Sequence, residues 1–366
     1  MACISELKNG RRQMSMLKMK PSTLRFLAQI IVVLFWSAMA VWAGEPKAPS
    51  SHGSSIFSPA STPAKSIADL SVFVLATTGI IFVVVFVLLV YSVVKFNGRA
   101  KDAGREPAQV YGSTQIELAW TIIPILIVVV LFLATARVIH AIQDAPEPAG
   151  AIQVIAIGHQ YWWEFRYPKF GIVTANELHV PVSDSSHPTP TFLQLLSADT
   201  DHSFWVPELA GKTDLIPNHP NRMWMDPQRT GVFVGQCAQY CGVQHAKMLL
   251  RISVDGREDF AGWVRSQQKP AVEDAAVIAG RRVFEGNACM NCHAVSGTPA
   301  DGRFGPDLTH LMSRATIAAG AAENNRENLR LWIQNPSVIK RGSLMPAMKL
   351  SDADLDAVVS YMETLH

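Results

Sequence analysis

The sequence is short of charge. Only 17% of its 366 residues are Asp, Glu, Lys or Arg, 49% are apolar, and the formal net charge is +2. So little charge points to membrane segments. The lack of a basic stripe interleaved with aromatics excludes a nucleic-acid partner. Cysteine is scarce as well: there are five, and four of them fall into two close pairs, Cys237/Cys241 and Cys289/Cys292. A secreted disulfide scaffold would spread its cysteines more evenly; close pairs mark metal, redox or haem-attachment sites. Cys3 has no assigned role. The two longest apolar runs, Leu70–Val94 and Leu118–Ala136, contain no charge and no histidine. The membrane part of this chain therefore offers no cluster to ligate haem or copper.

What is present divides the chain into segments. Residues 1–43 read as a signal peptide: Lys8, Arg11, Arg12, Lys18, Lys20 and Arg25 precede the apolar run Phe26–Val41, and "VWA" closes at Ala43 with a small-residue cleavage pattern. The run is short for a span, which favours cleavage over a third retained helix. The long basic region leaves Met14, Met16 or Met19 as alternative starts. Residues 44–65, rich in Pro, Ser, Ala and Gly, read as a linker. Within 66–145, two spans are expected at about 70–94 and 118–138, each meeting the need for about 20 apolar residues. Lys95, Arg99, Lys101 and Arg105 lie between them, which places that loop in the cytoplasm and the rest of the mature chain outside. Pro124 is tolerable inside the second span.

From 150 to 258 the pattern is one of short β-branched and aromatic runs, such as "AIQVIAIGHQYWWEFRY", "NELHVPV", "TFLQLLSA", "GVFVGQ" and "KMLLRISVD". This predicts a β-sandwich or barrel. From 270 to 366 the pattern is helical and predicts an all-α domain. "RENLRLWIQNP" is stopped by Pro336; Ser351 and Asp354 form a capping box; Leu355, Val358, Val359 and Met362 share one helix face.

The most specific motif is "CMNCH", Cys289 to His293. C-x-x-C-H is the c-type haem attachment signature: two thiols add to the haem vinyl groups and the adjacent histidine is held over the iron. A thioredoxin-like pair would want a βαβ setting, and a zinc site would need a second ligand pair that this region lacks. "RGSLMPAM" offers Met345 and Met348 as the sixth ligand, and Met345 is the choice because Met-Pro fixes an extended backbone. "GQCAQYCGVQHAKM" packs Cys237, Cys241, His245 and Met248 into one run. Thiolate, thioether and imidazole donors favour copper, and two thiolates can bridge a pair of metal ions. A second histidine is available upstream as His202 in "DTDHSFWVPE". Zinc and a Cys237–Cys241 disulfide remain the alternatives at this point. His159, His179, His187 and His219 read as surface or core residues.

These residues carry a resemblance. "DHSFWVPELAGKTDLIPN" followed by "GQCAQYCGVQHAKM", with "GHQYWWEF" and "QIELAWTIIP", resembles subunit II of the haem–copper cytochrome c oxidases over about residues 65–256. The "CMNCH" domain resembles the fused cytochrome c of caa-type oxidases. The resemblance implies a cupredoxin domain with a binuclear CuA centre. Cys237 and Cys241 would bridge two copper ions, His202 and His245 would each hold one, and Met248 and the carbonyl of Gln239 would complete the set. It also implies one covalent haem c on Cys289, Cys292, His293 and Met345. Glu117 matches a position linked to proton uptake in subunit I. Two departures stand out. Gln239 replaces a glutamate that helps bind magnesium at the subunit I contact, and a neutral amide binds Mg²⁺ less well. Tyr161 replaces the tryptophan that takes electrons from soluble cytochrome c, with Trp162 and Trp163 behind it.

The resulting expectation is an electron-transfer subunit of a bacterial inner-membrane oxidase. Electrons pass from a cytochrome c donor through haem c and CuA to subunit I, which reduces oxygen and pumps protons; subunit III is a further partner. A tethered haem acts at roughly millimolar effective concentration. A CuA subunit of a nitric-oxide-reducing relative, a membrane-tethered copper chaperone and a structural anchor are the competing readings.

Overall fold

Long uninterrupted apolar sequence becomes helix, and alternating sequence becomes sheet. In a computed structural model, residues 55–96, 112–183, 186, 188–272 and 274–366 are described. The signal-peptide reading of 1–43 with Cys3, the first part of the linker, the loop charges Arg99, Lys101 and Arg105, and His187 lie outside the described residues.

Helices α1 (Thr62–Lys95) and α2 (Thr114–Gln143) carry the two apolar runs. At 1.5 Å per residue they are ~50 and ~45 Å long, more than the ~30 Å hydrocarbon core of a bilayer. No residue of their apolar windows is buried, and Phe82 and Phe132 are each 67% exposed. Such a surface is stable only in a hydrocarbon solvent, where helices satisfy their own backbone. The excess length docks on the β domain. Ala60, Ser61, Pro63 and Ala64 are buried; Ala60 N donates to Glu208 O (2.7 Å) and Thr62 Oγ1 to Asp226 Oδ2 (3.0 Å). The stretch read as linker up to residue 65 is thus structured from Ala60 onward, because its small residues pack closely against the domain. Trp224 Nε1 donates to Ile142 O (2.7 Å), tying the end of α2 to the same domain.

Ten strands follow: β1 (Ile152–His159), β2 (Trp162–Tyr167), β3 (Ile172–Ala175), β4 (Glu177–Pro181), β5 (Thr191–Ser197), β6 (His202–Trp205), β7 (Thr213–Leu215), β8 (Asn221–Met225), β9 (Gly231–Cys237) and β10 (Leu249–Asp255). They form two five-stranded mixed sheets in the orders β3-β2-β1-β5-β8 and β4-β10-β9-β6-β7. Trp163, Phe165 and Tyr167 alternate along β2 into the core, where they meet Leu178, Leu195 and Phe204. Helix α3 (Arg257–Gln267) closes one end, with Trp263 stacked on His179 at 4.5 Å. Its amphipathic run lies between the β and helical patterns and the sequence reading left it unassigned.

The C-terminal domain packs α4 (Ile278–Gly286), α6 (Arg326–Gln334) and α8 (Asp352–Met362) around Phe284, Leu329, Ile333, Leu355 and Val359. The short turns α5 (Cys289–Cys292) and α7 (Pro336–Ile339) join them. Ser351 Oγ accepts from Asp354 N (3.2 Å), the expected cap. The domain is helical apart from a two-stranded ribbon, β11 (Thr316–Ile317) with β12 (Ala322–Glu323), too short to show in a sequence pattern. It is seated on the β domain: Leu249 N donates to Ala319 O (3.1 Å), and His310 bonds the carbonyls of Gln267 and Lys269 through Nε2 (3.1 and 3.0 Å).

Candidate metal centre and haem pocket

The sheet brings the copper-type ligands together. His202 opens β6 and Cys237 ends β9; β6 and β9 pair directly, with Phe204 opposite Cys237. The loop from Cys237 to Met248 returns to β10 and is closed by Cys237 N donating to Met248 O at 3.0 Å. The sulfurs of Cys237 and Cys241 are free thiols 3.9 Å apart, against about 2.05 Å in a disulfide. His202 Nδ1 lies 3.9 Å from Cys237 Sγ, His245 Nδ1 lies 3.8 Å from Cys241 Sγ, and Met248 Sδ is 3.8 Å from Cys241 Sγ. The Gln239 carbonyl is 3.1 Å from Cys237 Sγ. All six predicted donors therefore converge, and the ligand atoms of His202, Cys237 and Cys241 lie within 4.8 Å of one another. Two central sulfurs flanked by imidazoles, a thioether and a carbonyl are a soft donor set that suits copper.

Electrostatics favour a charged ligand there. The hydrogen bond between the two sulfurs brings the Cys237 thiol down to about 3, against burial and with help from His202. The same bond, with burial, pushes Cys241 up. A metal binding here would release any proton held by the pair. Burial would lower the His202 pKa, but the bond from Nε2 to Asp199 Oδ1 (2.8 Å) and the nearby Cys237 raise it. That bond commits Nε2 and leaves Nδ1 as the ligand nitrogen. Burial would raise Asp199 in turn, yet His202 and the amides of Thr200 (2.7 Å) and Gln160 (2.6 Å) hold it low. The sequence reading missed Asp199; its signal is a carboxylate three residues before a candidate histidine ligand. It also missed Gly158, whose Cβ would stand 2.7 Å from the His202 ring.

The three aromatics after Gln160 have different surroundings. Trp163 is fully buried, edge-on to Phe204 at 5.5 Å and 6.1 Å from His202, with Nε1 donating to Met248 O (3.4 Å). Trp162 stacks on His159 at 4.2 Å. Tyr161 and Trp162 line the second site, a largely apolar cavity that also contains Cys289, Cys292 and His293. Glu117 is in the first turn of α2, ~40 Å along that helix from the β domain.

In that cavity Cys289 and Cys292 sit on a single turn, α5, and His293 follows it. His293 Nδ1 donates to Pro306 O (2.7 Å), which leaves Nε2 for a metal, and desolvation lowers its pKa and keeps the ring neutral. Gly305 lets this ring sit close: a Cβ there would be 2.5 Å from it. Phe284, Leu308, Leu329, Trp332 and Ile333 form apolar walls, and Met345 and Met348 both line the cavity. Arg314 is buried on the same wall; Nη2 donates to Asp307 O (2.6 Å), while Nε has no partner. An orphaned buried guanidinium nitrogen beside an apolar slot fits the carboxylate edge of a haem. The residues thus fit both groups.

Comparison with known proteins agrees part by part. Family models match residues 49–138 as "Cytochrome C oxidase subunit II, transmembrane domain", 187–255 as "Cytochrome C oxidase subunit II, periplasmic domain" and 277–366 as "Cytochrome c". Cytochrome c oxidase subunit 2 of Alkalihalophilus pseudofirmus is 35% identical over 303 residues, covering 81% of this chain and 85% of the relative. The subunit of the same name from Bacillus sp. strain PS3 is 34% identical over 290 residues, covering 74% and 80%. That from Bacillus subtilis strain 168 is 31% identical over 301 residues, covering 76% and 82%.

Proposed function

Because the chain belongs to the cytochrome c oxidase subunit II family and carries a cytochrome c domain beyond its periplasmic one, we propose that it takes electrons from a c-type donor and relays them through a haem c and a copper pair to an oxidase subunit I. It is an inner-membrane oxidoreductase component with two spans and periplasmic domains, and it does not itself reduce oxygen. Copper and haem, when bound, supply the one-electron chemistry. The chain's own residues do the rest.

Cys237 and Cys241 would hold the copper pair with His202, His245, Met248 and the Gln239 carbonyl. Asp199 orients His202, and the buried Trp163 packs 6.1 Å from its ring. On the haem side, Cys289 and Cys292 would attach the macrocycle, His293 and Met345 would be the protein ligands to its iron, and Arg314 would meet its carboxylates. Tyr161 and Trp162 lie on the cavity wall, and Gln160 Nε2 donates to Cys241 O (2.6 Å), so this segment links the two sites. Oxygen reduction and proton pumping would belong to subunit I, with Glu117 contributing to proton uptake from the opposite membrane face. Magnesium is no part of this reading, since Gln239 offers only a neutral amide.

The observation that carries the proposal is the convergence of six candidate copper donors from β6, the end of β9 and the loop to β10, in the same chain as an apolar cavity lined by Cys289, Cys292 and His293. Purified full-length subunit should contain more than one copper per haem, show a mixed-valence two-copper EPR signal and have the spectrum of a low-spin c-type haem. A single-copper hyperfine pattern, or no copper in fully loaded material, would overturn it.

A further inference from the structure

The junction between the two periplasmic domains contains two buried ionisable side chains, one reaching across it from each domain. Glu177, on β4 and 7% exposed, accepts from three donors in the haem domain: Ala315 N (2.9 Å), Thr316 N (2.9 Å) and Thr316 Oγ1 (2.8 Å). Lys340, in the haem domain and 3% exposed, donates to Tyr161 O of the β domain (2.7 Å) and to Ala318 O (3.1 Å). Burying a carboxylate and an amine is costly unless their hydrogen bonds are made, and bonds to charged groups are about twice as strong as neutral ones. The loop from Cys237 to Met248 adds two more side-chain bonds to backbone carbonyls across the junction: exposed Lys247 Nζ to Ile339 O (2.9 Å) and buried Gln244 Nε2 to Arg341 O.

The partners on the far side are mainly backbone groups, which cannot rotate away as a side chain can. The haem-domain segments engaged are also walls of the haem cavity, which Thr316, Ala318 and Lys340 line together with Tyr161. A loose tether would leave such a surface hydrated and unpaired.

We propose that Glu177 and Lys340 are a two-way latch that holds the haem domain seated on Tyr161 beside the copper loop, so that electrons cross from a preformed contact and not after a tethered search. This rests on the relay reading above. In the step concerned, the haem iron loses one electron and the copper pair gains it, with no bond or proton transferred. Glu177 and Lys340 are positioning residues: they touch neither cofactor ligand set. Desolvation, with Lys247 nearby and partly offset by Cys241, brings Lys340 down to about 7. Its amine donates hydrogen bonds whether or not it carries the extra proton.

The test uses the full-length, metal-loaded subunit. The haem is reduced by a light-activated one-electron donor, and the passage of the electron to copper is followed at increasing sucrose viscosity. The wild-type rate should be independent of viscosity. In E177A/K340A it should fall at least about tenfold, as expected when the docked state is occupied a tenth of the time or less, and should then track viscosity, with both metal spectra unchanged. Glu177→Gln, which keeps one acceptor oxygen, should fall between. Hydrogen exchange at the Ala315 and Thr316 amides should rise in E177A whether or not metal is bound. A wild-type rate that tracks viscosity would overturn the latch, as would a double variant with unchanged rate and exchange. The wild-type series decides alone if the double variant fails to load. An electron that never reaches copper in the wild type would overturn the relay reading itself.

Discussion

His202 and His293 are held by the same device with opposite electrostatics. Each commits one ring nitrogen to an oxygen and rests its ring on a glycine. His202 Nε2 faces the carboxylate of Asp199 at 2.8 Å, while His293 Nδ1 faces the neutral carbonyl of Pro306 at 2.7 Å. The anionic partner raises the pKa of His202 against its burial; His293 has only a carbonyl and desolvation lowers it. The copper side therefore presents a more basic imidazole beside two sulfurs, and the haem side a neutral ring in an apolar slot. The two sites also differ in origin. The candidate haem-attachment residues occupy one turn and its neighbour, Cys289 to His293, whereas the candidate copper donors come from β6, the end of β9 and the loop to β10.

That contrast can be broken in four ways, in decreasing order of expected effect. Cys237→Ser should abolish the two-copper EPR signal and leave the haem spectrum intact, and Cys292→Ala should remove stable single-species haem attachment and leave copper intact. If either change emptied both sites, the two would not be independent. Leu355→Ala, at a position 1% exposed in the haem-domain core, should cost about 2–5 kcal/mol. In calorimetry it should lower the haem-domain transition more than that of the β domain. Asp199→Ala removes the partner of His202 and should weaken copper affinity about 10–100-fold in a chelator competition, leaving haem incorporation unchanged. Ser351→Ala, which removes the N-cap of α8, should cost about 1 kcal/mol, read as a small fall in the same haem-domain transition.

Much of the site was legible in the chain. "CMNCH" is contiguous, so attachment chemistry can be read from spacing alone. Cys237, Cys241, His245 and Met248 share one loop, and the β-branched runs around them announced a sheet. His202 was found through the need for a second imidazole, and the structure places its Nδ1 3.9 Å from Cys237 Sγ. Gly158, Pro306 and Arg314 were not found, because each acts through a contact made only when separate segments meet; Asp199 is three residues from His202, but its role shows only once the chain bends before β6 and aims the carboxylate at Nε2. Helix α3 and the β11–β12 ribbon were missed for a related reason: the first is a weakly apolar stretch between two patterns, the second has strands of only two residues.

The sequence by itself determined the two spans, the sheet and helical domains and the set of candidate metal donors, since these depend on local hydrophobic period and on ligand chemistry carried by single residues. Only the tertiary structure decided which ring nitrogen His202 and His293 leave free, how Tyr161, Trp162 and Trp163 divide between cavity and core, and that the C-terminal domain is hydrogen-bonded to the β domain. Those outcomes turn on which groups the folded backbone brings within reach of one another, and no spacing along the sequence encodes a distance across the fold.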